Sequence, residues 1–154
     1  MEINIVIFIT LLAYSLVVSQ SFSYIIALTD AQKNMQAATY IELRKLLDKN
    51  FRKKYSFVIY LSLISSVVLT ILTSMNTSSM LFIGSSIALL ALVIDIALTL
   101  KGNMPINNLI NTWSADNYPS NWKSYRAKWL SVFEKRQIAN IIGFLSLLFG
   151  AIFS

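Results

Sequence analysis

Four long apolar segments alternate with polar segments along the chain. A helix needs about 20 predominantly apolar residues to cross the hydrocarbon core of a bilayer. The pattern therefore predicts an all-α bundle of four transmembrane helices with amphipathic helical segments between them. We expect residues 1–154 to form one integral membrane domain, with spans at about 3–28, 55–72, 80–100 and 137–153.

The first apolar segment also has features of a signal peptide, with Val17-Val18-Ser19 as a cleavage site. A signal peptide, however, begins with basic residues and has an apolar region of only about 7–15 residues. This chain begins Met1-Glu2, and its first apolar run is longer than that. We therefore interpret the segment as a span.

The polar segment from Asp30 to Lys54 has its apolar residues at helical spacing. These apolar residues are Ala37, Tyr40, Leu43, Leu47 and Phe51, and the charged residues on the other side are Arg44, Lys45, Asp48, Lys49 and Arg52. The pattern predicts an amphipathic helix. It either lies on the membrane surface or extends the second span beyond the bilayer.

The remaining connections differ in length. A short polar turn at 74–78 joins the second and third spans into a helical hairpin. The longer segment from Lys101 to Arg136 opens with turn-forming residues at 102–108 and contains all three tryptophans. From Asn121 onward its aromatic residues return at helical spacing, so we expect a helix that continues into the last span.

The distribution of basic residues predicts the orientation. All thirteen Lys and Arg residues lie in the connections at 30–54 and 101–136, and the termini and the 74–78 turn have none. Basic connections remain in the cytoplasm. We therefore expect both termini outside and the amphipathic segments inside, with a bacterial inner membrane as the location.

The amino-acid composition limits the metal sites, cofactors and reactions that the chain can support. Hydrophobic residues make up 56% of the chain and charged residues 13%, against roughly 25% charged residues in a typical soluble domain. The absence of Cys and His excludes disulfides and the usual zinc and haem ligands, and removes the commonest general base. We expect no metal and no cofactor. The net charge of +6 fits anionic lipid better than nucleic acid.

One acidic residue, Asp95, lies inside a predicted span, and a buried ionisable group there is a candidate functional residue. At 1.5 Å per residue it lies about 9 Å from the cytoplasmic end of its helix. Gln20, Tyr24 and Asn140 lie at similar depths. These residues predict a polar pocket in the cytoplasmic half of the bundle, covered by the Trp-rich segment. The alternative is structural, with Asp95 paired to Arg136 or Lys101 and the tryptophans in an interfacial belt.

The 102–136 segment contains the run Gly102-Asn103-Met104-Pro105-Ile106-Asn107-Asn108, followed by Trp113, Trp122, Arg126, Trp129 and Arg136. In these residues it resembles the DUF1772 family of four-helix membrane proteins, which includes the fungal anthrone oxygenases. The resemblance implies oxidation of a lipophilic phenolic substrate by molecular oxygen without a metal or flavin. Many members have His or Asn between the last Trp and Arg, where this chain has Phe133 and Glu134, so a His-dependent mechanism is not carried over.

Three functions are consistent with these features. We favour the binding of a lipid or hydrophobic small molecule in the polar pocket, without an assigned reaction. The alternatives are a cofactor-independent oxygenase, with Asp95 or Tyr24 as the base, and a small transporter or partner subunit. We expect membrane lipids as partners and allow for a homo-oligomer. The candidate ligand-binding residues are Gln20, Asn103, Asn107, Trp113, Trp122, Arg126, Trp129, Arg136 and Asn140.

Overall fold

The computed structural model describes residues 2–76 and 79–154, and within these ranges the regular structure is entirely helical. Thr77 and Ser78, in the predicted 74–78 turn, lie outside the described residues, as does Met1. The helices are α1 (Glu2–Ser23), α2 (Thr29–Asn34), α3 (Ala37–Thr73), α4 (Met80–Leu98), α5 (Met104–Ile110) and α6 (Trp122–Ile152).

These helices form four long rods, because a π-helical turn joins two pairs of them without a break. Tyr24–Leu28 links α1 to α2, and Thr99–Asn103 links α4 to α5. The rods Ile3–Asn34, Ala37–Thr73, Met80–Ile110 and Trp122–Ile152 are each long and apolar enough to cross a membrane. The predicted four-helix, all-α architecture is confirmed, and the chain is an integral membrane protein.

The polar segments are largely helical extensions of the spans. The single helix α3 runs from the amphipathic segment through the second span, so the 37–54 region extends that span. The turn predicted at 102–108 is wrong, because the chain there completes a π-helical turn and enters α5. Pro105, which has no N–H to donate to the preceding turn, lies in the first turn of α5, directly after the π-helical turn.

The amphipathic pattern of α3 is rotated relative to our prediction. Ala37 and Tyr40 are buried as expected, but Phe51 is exposed. Arg44 and Asp48, which we placed on the outer side, are only 5% and 8% exposed. The prediction was wrong because hydrogen-bond partners on neighbouring helices stabilise these charges in the interior, which periodicity along one helix does not reveal.

The closest helix pair is α4 with α6, and small residues make this close approach possible. A Cβ atom on Gly150 would lie 2.6 Å from the carbonyl oxygen of Met80. A Cβ on Gly84 would collide with the carbonyl oxygen of Ser146. Small residues at such interfaces let helix backbones approach closely in membranes. The α4–α6 pair therefore forms a rigid wall, against which α1 and α3 pack.

Two apolar clusters fill the interior. One lies among the spans and includes Tyr14, Leu69, Leu92 and Leu147. The other is rich in aromatic residues and joins the helical extensions; its buried members include Tyr24, Tyr40, Trp113, Trp122, Trp129 and Phe133. All three tryptophans are therefore buried, so they do not form an exposed interfacial belt. The candidate site lies beside this aromatic cluster.

Candidate functional site

A cavity of about 270 Å³ opens between α3 and the α4–α5 rod, with α1 and α6 behind it. Known ligand pockets span about 300–1,000 Å³, so this cavity is at the small end of that range. Its buried lining residues are mostly polar or aromatic: Tyr24, Arg44, Asp48, Asp95, Asn103, Trp129, Phe133 and Arg136.

The rim of the cavity differs from its interior. Phe51, Arg52, Ser56 and Tyr60 on α3 and Leu100 in the second π-helical turn line the cavity and are exposed. Tyr60 is 63% exposed at this edge of the bundle. The mouth is thus mostly apolar, with Arg52 and Ser56 as its polar members, and it lies between two rods that are each long and apolar enough to cross a membrane.

One wall of the cavity is a buried ion pair between α4 and α6. Arg136 Nε donates to Asp95 Oδ1 at 2.6 Å, and Asp95 is 1% exposed. Arg136 Nη1 also donates to Asn103 Oδ1 at 3.0 Å. The Asn103 amide in turn donates to the backbone oxygen of Trp129 at 2.9 Å. Such a pair is held by its geometry and by hydrogen bonds to the groups around it.

The opposite wall is organised by the side chain of Asn107 on α5. Its oxygen accepts from Trp129 Nε1 at 2.8 Å and from Arg44 Nη2 at 2.9 Å. Its nitrogen donates to Asp48 Oδ1 at 3.0 Å. One amide therefore ties α3, α5 and α6 together, and it orients a buried cation and a buried anion at the same time.

The carboxylate of Asp48 has its acceptor sites well occupied. Besides the bond from Asn107, Asp48 Oδ2 accepts from Arg52 Nε at 2.9 Å and from Asn111 Nδ2 at 2.8 Å. Arg52 reaches further, to the side-chain oxygen of Asn108. Asp48 is thus a structural anion that joins α3 to α5, with Arg52 as its ion-pair partner.

Arg44 is the most unusual cation at the site. It donates to the hydroxyl of Tyr24 at 3.3 Å and to Asn107, and its guanidinium lies 3.7 Å from the centre of the Trp129 ring. Within the part of the chain that the structure describes, it forms no ion pair, and its buried Nε has no hydrogen-bond partner. The direct contacts of its charged group are therefore with neutral oxygens and the face of an aromatic ring, which stabilise a cation without carrying a negative charge.

Tyr24 lies at the start of the first π-helical turn, and its ring is 4.3 Å from that of Phe133 between centroids. Its hydroxyl oxygen accepts from Arg44 and from Gln32 Nε2, the latter at 3.1 Å. A hydroxyl oxygen has two acceptor lone pairs, and both are engaged here. This arrangement fits Tyr24 as a hydrogen-bond donor to a ligand better than as a base.

The structure brings most of the predicted site residues together. Asp95, Gln20, Tyr24, Asn103, Asn107, Trp129 and Arg136 all line the cavity. Asn140 is buried, but it is not among the lining residues, and its side-chain oxygen has no partner in the described ranges.

Three other predicted residues also lie away from the cavity. Trp113 and Trp122 pack in the aromatic cluster. Arg126 donates to the backbone oxygens of Gln32 at 2.9 Å and Met35 at 2.8 Å, which caps the carboxyl end of α2. Of the three tryptophans in the segment that we expected to cover the pocket, Trp129 lines the cavity, and Trp113 and Trp122 are not among its lining residues.

Sequence reasoning missed Arg44, Asp48 and Arg52 as cavity residues. Their spacing of four was the available signal, because residues four apart share one face of a helix. They form a polar line along α3, which we interpreted as the side of the helix opposite its apolar residues.

No cluster of three or more acidic side chains suited to a metal ion occurs among the described residues. Comparison of the chain with known protein families, with curated proteins and with solved structures found no match.

Proposed function

We propose that this protein binds a lipophilic molecule with a polar head in the cavity between α3 and the α4–α5 rod. The observation that carries the proposal is the contrast between an apolar mouth at the lipid-facing surface and a buried polar interior. A ligand of this kind reaches the site from the bilayer and leaves its tail in lipid, so a small cavity is sufficient for the head.

The two π-helical turns support the same proposal. One contributes Tyr24 to the cavity, and the other contributes Thr99, Leu100 and Asn103. Turns of this kind inside α-helices occur frequently at functional sites. Each of them redirects the helix at the level of the cavity.

We further propose that the cavity lies in the cytoplasmic half of a bacterial inner membrane, with both termini outside. The positive-inside rule supports this orientation, because all basic residues lie in two connections on one side of the bundle. The proposed ligand is therefore exchanged with the inner leaflet, and membrane lipids or a lipophilic metabolite are its sources.

Native mass spectrometry of the protein purified in mild detergent tests the binding. We expect a lipophilic adduct on the wild type and its loss in Ser56→Trp, because the indole occupies the mouth. Ser19→Trp is the matched control: both serines are exposed, both hydroxyls bond to a carbonyl of their own helix, and Ser19 does not line the cavity. An adduct retained equally by Ser56→Trp, or absent from the wild type, contradicts the proposal.

A cofactor-independent oxygenase is the second candidate, and one observation favours it: Asp95, Tyr24 and Arg44 line the same cavity. A base would take a proton from an anthrone, and the carbanion would react with oxygen to give the quinone and water. The proposal ranks second because Asp95 is tied to Arg136 and the oxygen of Tyr24 already accepts two hydrogen bonds. Oxygen uptake with an anthrone that Asp95→Asn abolishes would reverse this ranking.

A further inference from the structure

Resting on the proposed function, we infer that the ligand has an anionic head group and that Arg44 binds it. The ligand class is then an amphiphile whose small head group carries one negative charge, such as a carboxylate, and not a neutral alcohol. Three observations carry this inference: the charge balance of the cavity, the contacts of Arg44, and the size of the cavity.

The charged residues that line the cavity do not balance. Three arginines face two aspartates: Arg44, Arg52 and Arg136 against Asp48 and Asp95. Arg136 pairs with Asp95 and Arg52 pairs with Asp48. One positive charge is therefore left over. Arg52 is half exposed to water, whereas Arg44 is buried and forms hydrogen bonds only to neutral groups among the described residues, so Arg44 is the cation that a ligand can still pair with.

The environment of Arg44 makes this surplus costly. A buried charge without a counter-ion is strongly disfavoured, and a Trp ring compensates it only in part. Asp48 is near enough to act on Arg44 through space, but the amide of Asn107 lies between the two side chains and bonds to both, so the described residues form no direct ion pair at Arg44. An anion bound at Arg44 would make the cavity electrically neutral.

Arg44 also retains the donors that an anion needs. A guanidinium has five N–H donors, and the bonds to Tyr24 and Asn107 use one on each terminal nitrogen. Nε is fully buried and lacks an acceptor in the described part of the chain, so the second N–H group on each terminal nitrogen is what remains for a ligand. The planar group of Arg44 suits the two oxygens of a carboxylate.

Size favours a small head group. The cavity of about 270 Å³ is small for a ligand pocket, so it suits a group such as a carboxylate. The tail would leave past Tyr60 and Leu100, which line the cavity and are exposed, and would remain in lipid.

The experiment measures the binding of two ligands that share a tail. Radiolabelled hexadecyl sulfonate stays ionised at every working pH, and radiolabelled hexadecanol is its neutral match. Saturable binding to the detergent-solubilised full chain is read by scintillation proximity. Arg44→Gln removes the charge and keeps donor groups, and Arg44→Lys keeps the charge. Lys49→Gln removes an exposed charge one turn along the same helix and is the control.

We expect the wild type and Lys49→Gln to bind the sulfonate more tightly than the alcohol. In Arg44→Gln, sulfonate affinity falls about tenfold or more, as expected for the loss of a charge-assisted hydrogen bond. Alcohol affinity changes much less. Arg44→Lys retains part of the preference. If Arg44→Gln does not fold, the comparison of sulfonate with alcohol in the wild type and in Arg44→Lys still decides the question.

Equal affinity of the wild type for both ligands overturns the anionic head group while the proposed binding function stands. The same holds if Lys49→Gln loses the preference as fully as Arg44→Gln, since surface charge then explains it. Failure of both ligands to bind, with no adduct in native mass spectrometry, overturns the binding function and this inference together.

Discussion

At the scale of the residue, the cavity depends on polar side chains whose partners come from other helices. The pair Asp95–Arg136 is buried and joins α4 to α6, whereas Asp30–Lys33 is an exposed pair on α2. A buried charge that loses its partner remains in a poorly solvated place, so the same chemical change has very different costs at these two sites.

We expect Asp95→Asn to destabilise the protein by about 3 kcal/mol, near the lower end for a broken buried pair, because Asn still offers an acceptor. Asp30→Asn should cost less than about 1 kcal/mol. Thermal melting in detergent, followed by circular dichroism, measures both. The double change Asp95→Asn with Arg136→Gln should recover part of the loss. Equal melting temperatures for the two single variants would show that the buried pair adds nothing to stability.

At the scale of the element, the α4–α6 contact depends on glycines that differ in what surrounds them. A Cβ on Gly84 meets the backbone oxygen of Ser146, which cannot move without shifting a helix. A Cβ on Gly102 meets the side chain of Val132 at 2.6 Å, and that side chain can rotate. The first glycine is thus required by the helix pair, and the second only by a local contact.

Gly84→Ala should therefore lower stability by about 1–3 kcal/mol, the usual cost of overpacking, and Gly102→Ala should cost less. Melting temperatures of the two variants in the same detergent provide the measurement. A smaller loss for Gly84→Ala than for Gly102→Ala would mean that α4 and α6 do not approach as closely as described.

At the scale of the whole molecule, the distribution of Lys and Arg residues predicts which way the chain is oriented in the membrane. The chain has no cysteine, so single cysteines report their side of the membrane without interference. In intact cells we expect Ser74→Cys to react with a membrane-impermeant maleimide and Lys123→Cys to react only after lysis. Both positions are exposed. The reverse pattern would place the basic connections outside and the cavity in the outer half of the membrane.

The sequence by itself determined that four helices cross a membrane. Backbone groups in lipid must bond within their own helix, so length and apolarity are sufficient to identify a span, and the bundle was predicted correctly. The same local reasoning placed Asp95, Tyr24 and Asn107 near one level, and these residues do share the cavity. Periodicity also predicted that the aromatic segment continues into the last span, as α6 does.

Only the tertiary structure decided which side of each helix faces inward. Arg44 and Asp48 have the local pattern of a solvated face, yet Asn107 and Trp129 on other helices bury both. Arg126 has the pattern of a ligand-binding residue, yet it caps a helix end. The free energy of burying a charge depends on hydrogen-bond partners that lie far away in the sequence. The spacing of residues along one helix does not show which residues those partners are. The mostly apolar rim of the cavity, and the burial of Arg44 without a direct ion pair among the described residues, arise from the way the four rods pack.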